Sequence, residues 1–348
     1  MPYIDNEHLS KSYVEFHDIL LKSNILSQIL LKMYLPFLSR HQLDITAIQI
    51  GKSMNITQNS ILHVHWTFPH GYYGTVIAKK SGIPCVITAH GSDIHTNPRK
   101  NRIVKKYTLK ALESADKVIF VSNALLTAAK ELGYSGENAV VIPNGIDPTY
   151  FYPVEKAQAL EKTGWSQSKK YVVGFVGNFI YVKRADQFAK IFSEIQKIVG
   201  DVEFVLVGDG DLRDRIQKEC SELGIMVTFA GRVPHEDVAF WMNLFDVMIL
   251  PSRNESWGCV IHEAYACGTP VVGSDVGGIS EAMGGLGTLV KDGENFEERF
   301  AEAVCLTLMH ADTIDKATLI GYAQEHSWEG VVQQEITLYQ NLLRSQTG

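Results

Sequence analysis

The 348-residue chain has no Cys-x-x-Cys pair. Its five cysteines, Cys85, Cys220, Cys259, Cys267 and Cys305, are odd in number and scattered, which excludes a disulfide framework and points to reduced thiols in the cytosol. Basic charge is not in excess. Against 39 Asp and Glu stand 32 Lys and Arg, a formal net charge of −7, so nucleic acid is not an expected partner. The start, MPYIDNEHLSK, has no basic stretch leading into an apolar one, so no signal peptide is expected. The most apolar early segment, 19–38, is broken by Lys22, Ser23, Asn24, Gln28 and Lys32 too often to cross a bilayer. It reads as a helix packed on its own domain, or as one lying on a membrane surface with Lys22, Lys32 and Arg40 near the headgroups. Two nucleotide fingerprints also fail. Gly51-Lys52-Ser53 would be a P-loop only with glycine at 46, where Thr46 stands. Gly208-Asp209-Gly210 is followed by Arg213 where a dinucleotide fingerprint needs glycine.

What is present is a regular alternation. From residue 61, short apolar β-branched runs predict strands at 61–65, 85–88, 117–121 and 140–142. A second series lies at 171–176, 203–207, 226–229, 247–250, 270–273 and 287–290. Helical stretches such as 102–113, 185–198, 212–223, 235–244 and 259–267 separate them. Continuous apolar strands alternating with helices indicate parallel sheets buried on both faces. The length suits two domains, and the Pro/Gly-rich stretch 143–170 between the two series is the expected boundary. We read 1–150 as an N-terminal domain, 151–326 as a C-terminal domain and 327–348 as a terminal helix with no strand after it. The first sixty residues fit less well. They offer a long helical stretch and one candidate strand at 45–50, but no opening strand with a glycine-rich turn.

The densest chemistry lies in residues 251–281, PSRNESWGCVIHEAYACGTPVVGSDVGGISE. A strand leads through a loop into a helix near Trp257 or Gly258. A helix start carries free N–H groups and the positive end of the dipole, and it binds phosphate readily. Gly258 removes a side chain that would block a close ligand. Glu255 precedes the helix, and Glu263 lies about two turns in, roughly 8–12 Å along the axis at the helical rise. A nucleoside diphosphate sugar has hydroxyl-bearing rings at a comparable spacing on either side of its phosphates. Two glutamates could each take one ring while the helix start holds the diphosphate. Spacing alone leaves open that both are simply solvated or salt-bridged.

Glu255, seven intervening residues and Glu263 resemble the E-x7-E signature of the retaining, GT-B-fold glycosyltransferases of family 4, and the flanking PS, EAYACGTPVVGSD and VGGISE resemble them too. The resemblance covers most of the chain from residue 61. It implies an α/β fold of two facing Rossmann-like parallel-sheet domains. It implies that Glu255 contacts the donor sugar and Glu263 the ribose, with Ser256, Trp257, Gly258, Cys259 and Val260 at the diphosphate. VGFVGNFIYVKRADQF (173–188) is similar to the family's G-R-x4-K segment. Lys183 matches the lysine that neutralises the leaving diphosphate. Asn178 stands at the arginine position, a departure, and Arg184 is the candidate to compensate. FAGRVPHEDV (229–238) resembles the segment whose Gly231, Arg232 and Val233 line the nucleobase pocket. VITAHGSDIH (86–95) resembles the one that brings a histidine, here His90, to the sugar. HVHWTFPHGYYG (63–74) resembles the acceptor-side loop of bacterial polysaccharide enzymes.

The expectation is therefore a glycosyltransferase acting with retention, without cofactor or essential metal. Its catalytic residues would be Glu255, His90 and Lys183. Its partners would be a nucleoside-diphosphate sugar and a glycan or lipid-linked acceptor, in the cytoplasm and with peripheral contact at the inner membrane surface. Family members usually open with a strand, a glycine-rich loop and a helix, which this chain is expected to lack. That departure and Asn178 motivate the alternative of a truncated or degenerate paralogue that binds the nucleotide sugar without catalysis. Two further rivals are a metallohydrolase built on His63, His65, His90, Asp93 and His95, and a glycosidase using Glu255 and Glu263 as an acid–nucleophile pair.

Overall fold

The computed structural model describes residues 40–346. Ten strands form two parallel sheets. The first has the order β1-β2-β3-β4, with β1 Leu62–His65, β2 Cys85–Ala89, β3 Lys117–Phe120 and β4 Ala139–Val141. The second has the order β10-β9-β8-β5-β6-β7. Its strands are β5 Tyr171–Val176, β6 Val202–Val207, β7 Val227–Gly231, β8 Val247–Leu250, β9 Val271–Ser274 and β10 Thr288–Val290. Every pairing is parallel. The architecture is the expected α/β pair of Rossmann-like sheets, and each strand of the two series expected from residue 61 falls within two residues of an observed one.

Burial explains the pattern. β2, β6, β8 and β9 are buried at every position, because helices cover both faces of the sheets. In the second sheet Phe188 and Phe192 of the helix Phe188–Val199 pack on Phe175 and Phe204, with the Phe192 and Phe204 rings stacked at 4.1 Å. The terminal helix Trp328–Gln346 returns to the first sheet, where Val331, Leu338, Tyr339 and Leu342 join Val86, Ile119, Val140 and Ile142 in one apolar cluster.

One expectation is overturned. Residues 45–50 are not a strand but part of the helix Arg40–Lys52. Leu43 and Ala47, one helical turn apart, are fully buried in the core cluster that includes Ile77 of the neighbouring helix Tyr72–Ser81. That packing outweighs the strand preference of three isoleucines. The 143–170 stretch also holds a helix, Lys156–Thr163. The segment 19–38, and any element preceding Arg40, lie outside the described residues.

Gly174, in the middle of β5, has no room for a Cβ, which would run into the Phe245 ring. We expect Gly174→Ala to lower stability by ~1–3 kcal/mol, seen as a lower urea midpoint with an unchanged slope.

Candidate active site

The second sheet reverses its strand order between β5 and β8. The chain leaves β5 toward β6 on one side and leaves β8 toward β9 on the other. Such a switch point opens a crevice at the carboxyl ends of the two strands. Both loops that the sequence singled out leave from this point: 177–187 after β5 and 251–258 after β8.

They meet there. The Lys183 ammonium donates to a Glu255 carboxylate oxygen in an ion pair, and both side chains are largely buried. The loops are also joined through Arg253. Its guanidinium forks onto the Asp186 carboxylate at 2.5 and 2.9 Å, donates to the Tyr181 carbonyl at 2.7 Å and stacks on the Tyr181 ring at 3.9 Å. The Arg253 backbone N–H donates to Val182. A bidentate pair of this kind fixes geometry as well as contributing energy. Burial, the largest single effect, pushes the Asp186 carboxyl up, but hydrogen bonds from Arg253 and Gln187 and the Arg253 charge together hold it below its usual range.

Behind Glu255 the chain turns through Gly258, at φ 86 and ψ 60, a left-handed conformation that favours glycine. The helix Cys259–Ala266 begins at once, with no side-chain cap on its first N–H groups. Glu263 lies on this helix. Its carboxylate makes no hydrogen bond or ion pair among the described residues, and desolvation pushes it up to about 7. Trp257 turns away from the crevice. It is 5% exposed and packs edge-on against His262, so only its backbone faces the loop. Cys259 accepts from Asn144, and burial pushes its thiol up to about 11, leaving it a neutral thiol. Val260 is half-buried on the first turn.

Other expected residues fall less uniformly. Arg184 does not reach the crevice as a free cation. It is buried over the Phe296 ring, donates to the Pro251 carbonyl and to Asp292, and approaches Glu297 at 3.5 Å. The expected compensation for Asn178 therefore does not come from Arg184, whose charge is spent on the fold. Asn178 is exposed just after β5. Gly231 ends β7, where its carbonyl accepts from Gly208. Arg232 is exposed beside Asp209 at 3.5 Å, and Val233 is half-buried next to it.

The first sheet contributes His90 at the end of β2. The backbone N–H groups of His90, Gly91 and Thr67 all donate to the buried Asp93 carboxylate. The His90 ring bonds His65 at 2.8 Å, and the His63, His65 and His90 rings stack in series. Burial lowers all three, His63 to about 3 and His65 to about 4. The His63 ring nitrogens bond the Tyr339 and Thr88 hydroxyls, and among the described residues no cluster of three or more His, Cys, Asp or Glu is arranged around a metal. Gly91 touches Ser256 so closely that a Cβ would overlap the Ser256 hydroxyl. Two further contacts join the sheets here, and neither was legible from sequence. Ser122 donates to the Ser256 carbonyl at 2.6 Å, and Glu281 caps the helix Asn123–Leu132 by accepting from Asn123 and Ala124 at 2.8 Å.

Residues 32–150 match the family described as Glycosyltransferase Family 4, and residues 170–310 match Glycosyl transferases group 1. The chain is 31% identical over 295 residues to N-acetyl-alpha-D-glucosaminyl L-malate synthase of Bacillus anthracis, covering 82% of this chain and 75% of that one. It is 30% identical over 226 residues to a putative teichuronic acid biosynthesis glycosyltransferase of Bacillus subtilis, spanning 64% of this chain and 55% of that one. In fold it is similar to sucrose-phosphate synthase from Thermosynechococcus elongatus, with TM-score 0.72 and 22% identity over 89% of this chain and 81% of that one. It is also similar to Anabaena HepE in complex with UDP, with TM-score 0.70 and 21% identity over 86% and 82%. This chain belongs to the family 4 glycosyltransferases and has their GT-B fold. It is a glycosyltransferase.

Arg253→Lys keeps the charge but loses the fork onto Asp186. We expect a loss of ~1–3 kcal/mol by urea unfolding, together with a reduced kcat.

Proposed function

We propose that the enzyme moves a sugar from a nucleoside-diphosphate donor to a glycan or lipid-linked acceptor, with retention of configuration, in cell-surface polysaccharide synthesis. The observation that carries this reading is the meeting of Lys183 and Glu255 at the β5/β8 switch point, in front of an uncapped helix start. On this reading the diphosphate lies across the N–H groups of Cys259 and Val260 and against Lys183. Glu255 takes the donor sugar and Glu263 the ribose. As the glycosidic bond to the diphosphate breaks, the anomeric carbon gains oxocarbenium character and the diphosphate gains charge. Lys183 and the helix dipole are already in place to stabilise that charge, a preorganised electrostatic contribution. Glu255 keeps Lys183 in position until the diphosphate replaces it as the counter-charge. His90 approaches the donor sugar from the first sheet, next to Ser256.

The same reading divides the chain into an acceptor-side unit, 1–150, a donor unit, 151–326, and a returning helix, 327–348. UDP in the HepE structure and teichuronic acid in the name of the Bacillus subtilis relative support a nucleotide donor and a surface-glycan product. Among the described residues no helix is long and apolar enough to cross a membrane. A lipid-linked acceptor would therefore be met by contact at the inner membrane surface. A paralogue that binds the nucleotide sugar without turnover is disfavoured by the Lys183–Glu255 pair, which poses a cation for a leaving group.

Release of nucleoside diphosphate from UDP- and GDP-sugars, measured beside calorimetry, tests the assignment. Lys183→Ala should lower kcat on the order of 10²–10³. Glu255→Ala should abolish transfer while donor binding survives, and Glu263→Ala should weaken nucleotide binding. Unchanged turnover in all three would sink the reading.

Glu263 gives a separate pH prediction. Below 4.5 its carboxyl is protonated in both the folded and the unfolded chain, so burial costs nothing. Between 4.5 and about 7 the unfolded chain releases the proton first, and stability falls. Above that the full cost is present. Glu263→Gln should therefore be more stable than wild type at pH 8, and the advantage should vanish at pH 4, by thermal unfolding. Nucleotide affinity in wild type should rise with pH through about 7 more steeply than in the variant.

A further inference from the structure

Among the described residues, three that are not glycine have positive φ: Trp66, Arg184 and Asn295. Arg184 and Asn295 sit in the left-handed helical region, at ψ 27 and ψ 37. Trp66, just past β1, has φ 67 with ψ 135, outside that region and hostile to a bulky side chain. Such a conformation persists only where the surroundings over-determine it. Here they do. The Trp66 N–H donates to the Thr88 carbonyl, and its carbonyl accepts from Gly71, both at 2.9 Å. The next residue, Thr67, is fully buried and donates to Asp93 through its backbone N–H.

Core packing is not what this strain secures, because the indole is 47% exposed. It stands against His90, with ring centroids 5.1 Å apart, and near His70 at 6.3 Å. His90 is followed by Gly91, which touches Ser256 of the donor loop. Trp66 therefore lies one ring beyond His90, beside the donor site and on the first sheet. The charge beside its neighbour His90 is the Asp93 carboxylate, which is negative. Burial lowers His70 and His90 toward the neutral form, and the Asp93 carboxylate is taken up by three backbone N–H groups.

We propose that Trp66 is the acceptor platform, on which the C–H face of a six-membered sugar or cyclitol ring packs beside His90. The inference rests on the donor-site reading above and adds the class of acceptor. A neutral, flat aromatic surface of this kind rewards a ring with an apolar face. It gives nothing to an acyclic hydroxy acid, which would need a cation.

The test uses the full chain with UDP-glucose, UDP-N-acetylglucosamine and GDP-mannose as donors. Ring acceptors are the p-nitrophenyl glycosides of glucose, galactose, mannose and N-acetylglucosamine, and acyclic acceptors are malate and glycerate. Wild type should transfer to a ring acceptor. Trp66→Gly should raise that acceptor's KM on the order of tenfold, with a smaller change in donor KM. Trp66→Phe should restore most of the acceptor affinity. Glycine adopts the backbone conformation at no cost, so the unfolding midpoint of Trp66→Gly should stay within about 4 °C of wild type, which separates lost recognition from lost folding. An unchanged acceptor KM in Trp66→Gly overturns the proposal. So does a wild type that transfers only to malate or glycerate while hydrolysing donor normally. A wild type that neither hydrolyses nor transfers any donor sugar brings down the donor reading, and the platform with it.

Discussion

The site depends on one topological constraint, the reversal of strand order between β5 and β8. Parallel strands need crossovers, and where successive crossovers depart in opposite directions no connection covers the strand ends. The gap has to be shaped by the loops themselves. Arg253 binds the β5 loop at Asp186 and Tyr181, and Arg184 binds the β8 loop at the Pro251 carbonyl. Two arginines thus hold the loops together, and Lys183 and Glu255 are left facing one another in the space between them.

The strands were legible because parallel sheets covered on both faces leave near-continuous apolar runs: VMIL has no polar residue, and VEFVLV is broken only by Glu203. The helix Arg40–Lys52 was not, because ITAIQI carries the local chemistry of a strand. Only the packing of Leu43 and Ala47 beside the helix Tyr72–Ser81 decides otherwise. At the candidate site, the spacing of Glu255, Gly258 and Glu263 carried the strand–loop–helix unit. The fate of Arg184 was hidden, since its partners Asp292 and Glu297 lie more than a hundred residues away. Glu281 was hidden for the same reason. It caps a helix that begins 158 residues earlier. Residue type announced a cation or a carboxylate in each case, but only the fold decided which partner it would meet.

The two walls of the crevice use charge differently. The β5/β8 wall holds its ionic groups in pairs, Lys183 with Glu255 and Arg253 with Asp186. The other wall is a stack of imidazoles that burial keeps neutral, ending in an exposed indole. The proposed diphosphate and the proposed uncharged ring would each meet the wall that suits them.

The chain passes between the sheets twice, and the two passages lie side by side. Ile146, on the way out, and Ser327, on the way back, form a parallel bridge. The Ile146 N–H bonds His326, and the Trp328 N–H bonds the Ile146 carbonyl. Gly145 lies so close to Trp328 that a Cβ there would come within 2.7 Å of its backbone nitrogen. A single linker would let the two sheets slide, twist or separate. Two passages hydrogen-bonded at one point resist that sliding, a restraint tied to the backbone itself and independent of any side chain.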